Sequence, residues 1–195
     1  MATSNFNTLV KDSFAFLLKD YNFSIAKDEE NVVRFEDDNI FITAHYDNHR
    51  SYEVGIQLGL LSERYNNEER PFELNEVIKL RQGAAFKQAP ALQATSLESL
   101  KICVSKAADV FKNECITYID DPKFNFKILS DFREKNALKQ ENEKRMKKLR
   151  SELTIYWGKK DYQRVVDICV QLGGSMLDSE KKKLDFSLKK IGKTP

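Results

Sequence analysis

Residues 31–61 of this chain, NVVRFEDDNIFITAHYDNHRSYEVGIQLGLL, constrain its fold more than any other stretch. In residues 40–46 (IFITAHY) and again in residues 52–58 (YEVGIQL), alternate side chains are apolar while the intervening ones are polar, small or mixed. A period of two belongs to strands with one buried face. Between the two runs lie Asp47, Asn48, His49 and Arg50. Asp and Asn side chains bond their own backbone in reversals, so the pattern predicts a hairpin. Residues 32–36 predict a third strand, with Val33 and Phe35 on one face, and residues 23–27 a fourth. The connectors DEEN (28–31) and EDDN (36–39) are short and acidic. Parallel neighbours need a crossover of about a dozen residues, so connectors this short imply an antiparallel meander. Its apolar face, with Tyr52, Val54, Ile56 and Leu58, must be covered.

The predicted cover comes first in the chain. Phe6, Val10, Phe14, Leu17 and Tyr21 recur at intervals of three and four, and Leu9, Phe16 and Leu18 widen the stripe. This predicts an amphipathic helix over residues 5–21, capped by Ser4 or Asn5. Beyond residue 61 the pattern turns helical. A polar loop at 62–70 leads to a short helix over 72–82, and a surface loop at 83–94 leads to a longer one over 97–119. That longer helix is capped by Thr95 or Ser96 and ended before Pro122. Phe124, Phe126, Ile128, Leu129 and Phe132 precede a highly charged helical run over 133–150. A helical hairpin over 149–172 follows, broken at Gly173 and Gly174, and Asp178 or Ser179 caps a last helix. The expected class is α+β: an N-terminal helix packed on a four-stranded antiparallel meander, followed by an all-helical C-terminal half. The boundary is placed between 1–92 and 93–195.

Charge and cysteine content narrow the function classes. The net charge of +2 conceals an asymmetry: residues 1–143 hold 18 Lys/Arg against 24 Asp/Glu, and residues 144–195 hold 14 against 6. Cys103, Cys115 and Cys169 have neither CxxC spacing nor a neighbouring His, so the reading is buried small hydrophobes and no metal site. No apolar run approaches the roughly 20 residues that span a bilayer, and the N-terminus lacks the plan of a signal peptide. A cytosolic protein with no membrane partner is expected. GxSxG, HExxH, P-loop and dinucleotide fingerprints are absent, and the seven glycines form no phosphate cradle. No cofactor is expected, and no enzymatic activity.

Four binding or catalytic constellations remain. Asp47, His49, Arg50, Tyr52 and Glu53 gather at one hairpin tip and mix both charges with an aromatic, as interfaces do. The purely structural alternative is an Asp47–Arg50 ion pair across the turn. The acidic connectors, with Asp28, Glu29, Glu30, Glu36, Asp37 and Asp38, suit electrostatic capture of a basic partner. Alternate turns of a meander lie at opposite sheet ends, however, so these acids need not form one patch. The basic tail, including Lys144, Arg145, Lys147, Lys148, Arg150, Lys181, Lys182, Lys183, Lys189 and Lys190, makes nucleic acid the alternative partner. Interleaved acids and sparse aromatics weigh against it. The two histidines, His45 and His49, mark where an enzyme of unfamiliar type would be centred.

Phe14 to Phe23 (FAFLLKDYNF), then Val33-Arg34-Phe35, Ile40-Phe41-Ile42, Tyr46-Asp47 and Arg50 to Ile56 (RSYEVGI) together resemble small bacterial cytosolic immunity-type proteins of polymorphic toxin systems. The resemblance covers residues 6–60. It implies a non-catalytic protein that binds and neutralises a toxin, plausibly a basic toxin domain, and it brings no catalytic residues. Near the C-terminus, ELTIYWGKKDYQRVVDICVQL resembles a tetratricopeptide-type hairpin, in which a turn ending in Asp-Tyr opens the second helix. A stable array needs about three repeats, so the single copy implies one helical hairpin packed on the end of the domain.

Overall fold

The computed structural model describes residues 6–65, 68–86 and 92–192, so the expected caps Ser4 and Asn5 and residues 87–91 of the expected surface loop lie outside it. The chain forms two compact units, Met1–Arg133 and Glu134–Pro195.

The alternating stretch folds as expected into an antiparallel meander: β1 (Ser24–Glu29), β2 (Val32–Glu36), β3 (Ile40–Tyr46) and β4 (Val54–Leu60), paired in that order. Its inner face carries Val33, Phe35, Ile40, Ile42, Ala44, Val54, Ile56 and Leu58, all buried. Two short strands, β5 (Arg64–Tyr65) and β6 (Glu68–Glu69), form a separate hairpin within the stretch expected to be a loop. Then β7 (Phe72–Glu73) adds a fifth strand to the main sheet, pairing Phe72 with Leu58 and Glu73 with Gln57. It is too short for a periodicity argument to find.

The N-terminal helix is broken into α1 (Phe6–Ser13) and α2 (Ala15–Asp20) at Phe14, whose backbone leaves the helical region. The Phe14 ring at the break is fully buried. It lies 5.9 Å from Phe16 and 6.0 Å from Phe35, with Phe111 edge-on at 5.9 Å. Phe111 belongs to α4 (Leu97–Cys115), which follows α3 (Leu74–Gln82). Ser96 caps α4 by accepting the Ser99 N–H. The buried stripe of α4, Leu100, Val104, Ala107, Phe111 and Cys115, packs on α1 and β4. The core of the first unit therefore extends past residue 92, because the buried stripe of α4 belongs to it. After the one-turn α5 (Thr117–Asp120), Phe126 and Leu129 of α6 (Pro122–Gly158) complete this core.

The outer face of the sheet is mostly polar and carries one covered patch. Gly59 in β4 lies under the Phe41 ring, a cross-strand pairing that fills the space left by a missing side chain. The Arg34 guanidinium stacks 4.0 Å above Phe41. It donates to Glu36 at 2.6 Å and, in bidentate fashion, to Glu69 of β6 at 2.6 and 2.8 Å. A planar guanidinium can satisfy two carboxylates and a ring at once, which an ammonium cannot. Arg34 thus pins the β5–β6 hairpin against the sheet. Arg133 acts similarly on α3, stacking 3.8 Å from Phe72 while donating to Glu76 and to the Pro71 carbonyl.

In the second unit, α6 continues as a single helix whose residues 137–145 are all exposed. Its last turns pack with α7 (Tyr162–Leu172) and α8 (Asp178–Lys190) around Leu149, Leu153, Val165, Ile168, Cys169 and Leu172. Asp161 caps α7 by accepting the Arg164 N–H at 3.2 Å, and Gly173 ends it with φ of 50°, a conformation that favours glycine. The expected cap of α8 by Asp178 or Ser179 gives way to Glu180. Its nearly buried carboxylate accepts the Leu177 N–H at 2.7 Å and the Arg150 Nε–H at 3.0 Å. A charge this deep persists because both oxygens are satisfied.

Phe14 is the residue on which both helical covers and the sheet converge. Its replacement by Ala deletes a fully buried ring and is expected to cost about 3–5 kcal/mol of stability in urea denaturation. A loss below about 1 kcal/mol would show that the break at Phe14 does not organise the core.

Candidate protein-binding surface

The loop between β3 and β4 reverses the chain on the carboxylate of Asp47. Its Oδ1 accepts the backbone N–H groups of His49 at 3.1 Å and Arg50 at 3.0 Å. Its Oδ2 accepts the backbone N–H and the hydroxyl of Ser51, at 3.1 and 3.0 Å. The expected structural alternative, an Asp47–Arg50 ion pair, gives way to this backbone cradle. The amides of Arg50, Ser51 and His49 stabilise the ionised carboxyl and hold its pKa down to about 2. Among the described residues the Arg50 guanidinium makes no ion pair and is left exposed.

Across the loop, Asp47 N–H donates to the Glu53 carbonyl at 3.0 Å, closing its base. The segment 92–94 then runs alongside it. Val54 N–H donates to Leu92, Ala94 N–H donates to Tyr52 at 2.7 Å, and Glu53 pairs with Gln93. The Tyr46 hydroxyl donates to the Ala94 carbonyl while its ring stacks on Phe6, 5.8 Å away. This bracing was not legible in the sequence, where Leu92, Gln93 and Ala94 belong to an expected surface loop. Tyr52, expected to point into the core from the start of a strand, instead precedes β4 and is 40% exposed. Its φ of 56° is a left-handed conformation that bulky side chains rarely adopt. The hydrogen bonds on either side hold it there.

The other candidate residues divide between the two ends of the sheet. Glu29 and Glu30 lie at the β1–β2 turn, on the same end as residues 47–53, since Tyr46 N–H donates to the Asn31 carbonyl at 2.9 Å. Both are exposed. Their neighbour Asp28 is engaged in holding α1 to β1, accepting from Lys11 at 2.7 Å and from Asn7. These two donors, Lys11 first, hold its carboxyl below the usual range. Asp37 and Asp38 lie at the opposite end, where Leu61 N–H donates to Asn39. Asp37 is a turn former, its Oδ1 accepting the N–H groups of Asn39 and Ile40, both at 2.7 Å. One end therefore gathers His49, Arg50, Tyr52, Glu53, Glu29 and Glu30 over the Asp47 cradle, and the other holds Asp37 and Asp38 apart from them.

The histidines occupy different settings. His45 lies on the outer sheet face with its ring over Gly55, where an added Cβ would collide with it. His49 projects from the tip. An open cleft of about 520 Å3 is lined by Leu9, Leu97, Glu98 and Lys101. Among the described residues, no group of His, Cys, Asp or Glu side chains is arranged to hold a metal ion, and no helix is long and apolar enough to cross a membrane. The three cysteines are buried, and burial pushes their thiols up.

Replacing Asp47 by Ala is expected to free the amides of His49, Arg50 and Ser51 to exchange with solvent while those of Phe35 and Ile42 stay protected, as amide exchange monitored by NMR would show. Because folding lowers the Asp47 pKa, its contribution is complete above the ordinary value of 3.8 and is lost as pH falls through about 2. Protection of the three amides should fall over that window in the wild type. Equal protection in the variant would remove the carboxylate as the organiser of the loop.

No protein-family model, curated protein or solved structure matches the chain, so its fold and this surface stand on their own geometry.

Proposed function

We propose that this chain is a non-catalytic protein-binding module, working as an immunity-type protein that captures a toxin through the end of the sheet formed by residues 29–30 and 47–53. The observation that carries the reading is Tyr52: an aromatic side chain held exposed, in a strained backbone conformation, on a loop fixed by an internal carboxylate and a neighbouring segment. Strain of this kind persists only where the surroundings over-determine it, and it gathers at functional sites. Tyr and Arg are the residue types that dominate binding energy at interfaces, and a loop ordered before the encounter loses little further entropy on binding. Glu53 beside Tyr52, and Glu30 with the Lys27-paired Glu29 at the same end of the sheet, add carboxylates suited to steering a basic partner. The resemblance over residues 6–60 points the same way.

The test is capture from nuclease-treated lysate of the native cell, with the bound protein identified by mass spectrometry and its affinity then measured in purified form. Tyr52→Ala and Arg50→Glu should each weaken binding by at least about tenfold, as losses of about 1.4 kcal/mol or more at central contacts do. Asp38→Lys, at the opposite end, should leave the affinity unchanged. Equal affinity in all three variants would move the interface elsewhere.

A further inference from the structure

The second unit brings together aromatic side chains that are scattered in the sequence. Trp157 near the end of α6, Tyr162 at the start of α7 and Phe186 in α8 pack edge to face, with ring centroids 6.2, 5.5 and 5.7 Å apart. Phe186 is 43% exposed, and the other two rings are half-buried. Two lysines lie against them, Lys183 5.6 Å from the Trp157 ring and Lys190 5.4 Å from Phe186, while Lys159 lies 5.8 Å from Tyr156, a ring outside the cluster. None of the three makes an ion pair among the described residues. Glu180 is paired with Arg150, Asp161 accepts the Arg164 N–H and Asp178 is paired with Lys181, while Asp185, next to Phe186 in the chain, is exposed. The turn that sets Trp157 against Tyr162 passes through Lys160, whose φ of 59° is unusual for a lysine. Residues 134–195 hold 16 Lys/Arg against 9 Asp/Glu.

We propose that this aromatic and lysine patch binds single-stranded nucleic acid, with bases stacking on Phe186 and Trp157 and phosphates held by Lys183 and Lys190. Exposed rings inside a basic surface are the device by which proteins hold single strands without reading their sequence, because every base presents a face to stack. A duplex keeps its base faces covered and offers the rings nothing. An acidic polypeptide would satisfy the lysines and leave the rings without a stacking partner. The site is separate in its residues from the one at the sheet end and does not depend on it.

Trp157 is the chain's single tryptophan, so its fluorescence reports directly on the patch. The full chain is titrated with a polythymidine of about 15 nucleotides, within the site sizes such proteins use, with the matching duplex, and with polyglutamate. The oligonucleotide should quench Trp157 saturably, and its affinity should fall steeply with salt, with a log–log slope of about −0.7 per phosphate engaged. Phe186→Ala should weaken binding at least about fivefold, consistent with the loss of one stacked base. The double variant Lys183→Glu, Lys190→Glu should lower both the affinity and the salt slope. Circular dichroism establishes that each variant stays helical, and if Phe186→Ala does not, the lysine variant decides. Absence of saturable quenching at low salt, a duplex that binds as well as the single strand, quenching by polyglutamate of equal strength, or unchanged affinity in the lysine variant would each overturn the proposal.

Discussion

The packing of Phe14 against Phe35 and Phe111 is the interaction on which the first unit depends, because it joins the three layers that the chain must bring together. Phe35 comes from the sheet, Phe111 from α4, and Phe14 from the break between α1 and α2. Offset and edge-on rings gain something beyond their buried area, about 0.5–1.5 kcal/mol per pair. Their larger effect is geometric. The break at Phe14 divides the N-terminal cover into α1 and α2, and the Phe14 ring joins it to both the sheet and α4. With the inner face closed in this way, β3 and β4 are held along their length, and the loop that joins them stands on a rigid base.

On that base the chain builds a reversal around a single carboxylate. Asp47 satisfies three backbone N–H groups that the reversal would otherwise leave unpaired, and in doing so releases Arg50 and His49 to solvent. The segment 92–94, returning from α3 toward α4, closes the other side through Tyr52 and Val54. Recognition residues are placed most accurately on such supported loops. The opposite end of the sheet is organised differently: there Arg34, Phe41 and Glu69 cover the outer face with a second hairpin, and Asp37 is spent on its own turn.

Local patterns were legible and long-range pairings were not. The alternation of residues 40–46 predicts β3, the stripe through Phe6, Val10 and Leu17 predicts the N-terminal cover, and Asp47 in DNHR predicts a reversal. Each of these depends on neighbours within a few positions. The break at Phe14, the two-residue strand β7 and the bracing by residues 92–94 depend on partners 14 or more residues away. No local signal reports them. Membership of α4 in the first core was hidden for the same reason: a broad apolar stripe says that a helix is buried, not against what. In the second unit, aromatics that are sparse along the basic tail meet in space only because α6, α7 and α8 pack side by side.

The central claim is that residues 47–53 form a rigid surface before any partner arrives. NMR relaxation of the backbone amides tests it directly. The account predicts order parameters for His49, Arg50, Tyr52 and Glu53 of about 0.85, equal to those of β3 and β4. Values below about 0.6, typical of a flexible loop, would contradict it and leave Tyr52 without the preorganisation on which its role rests.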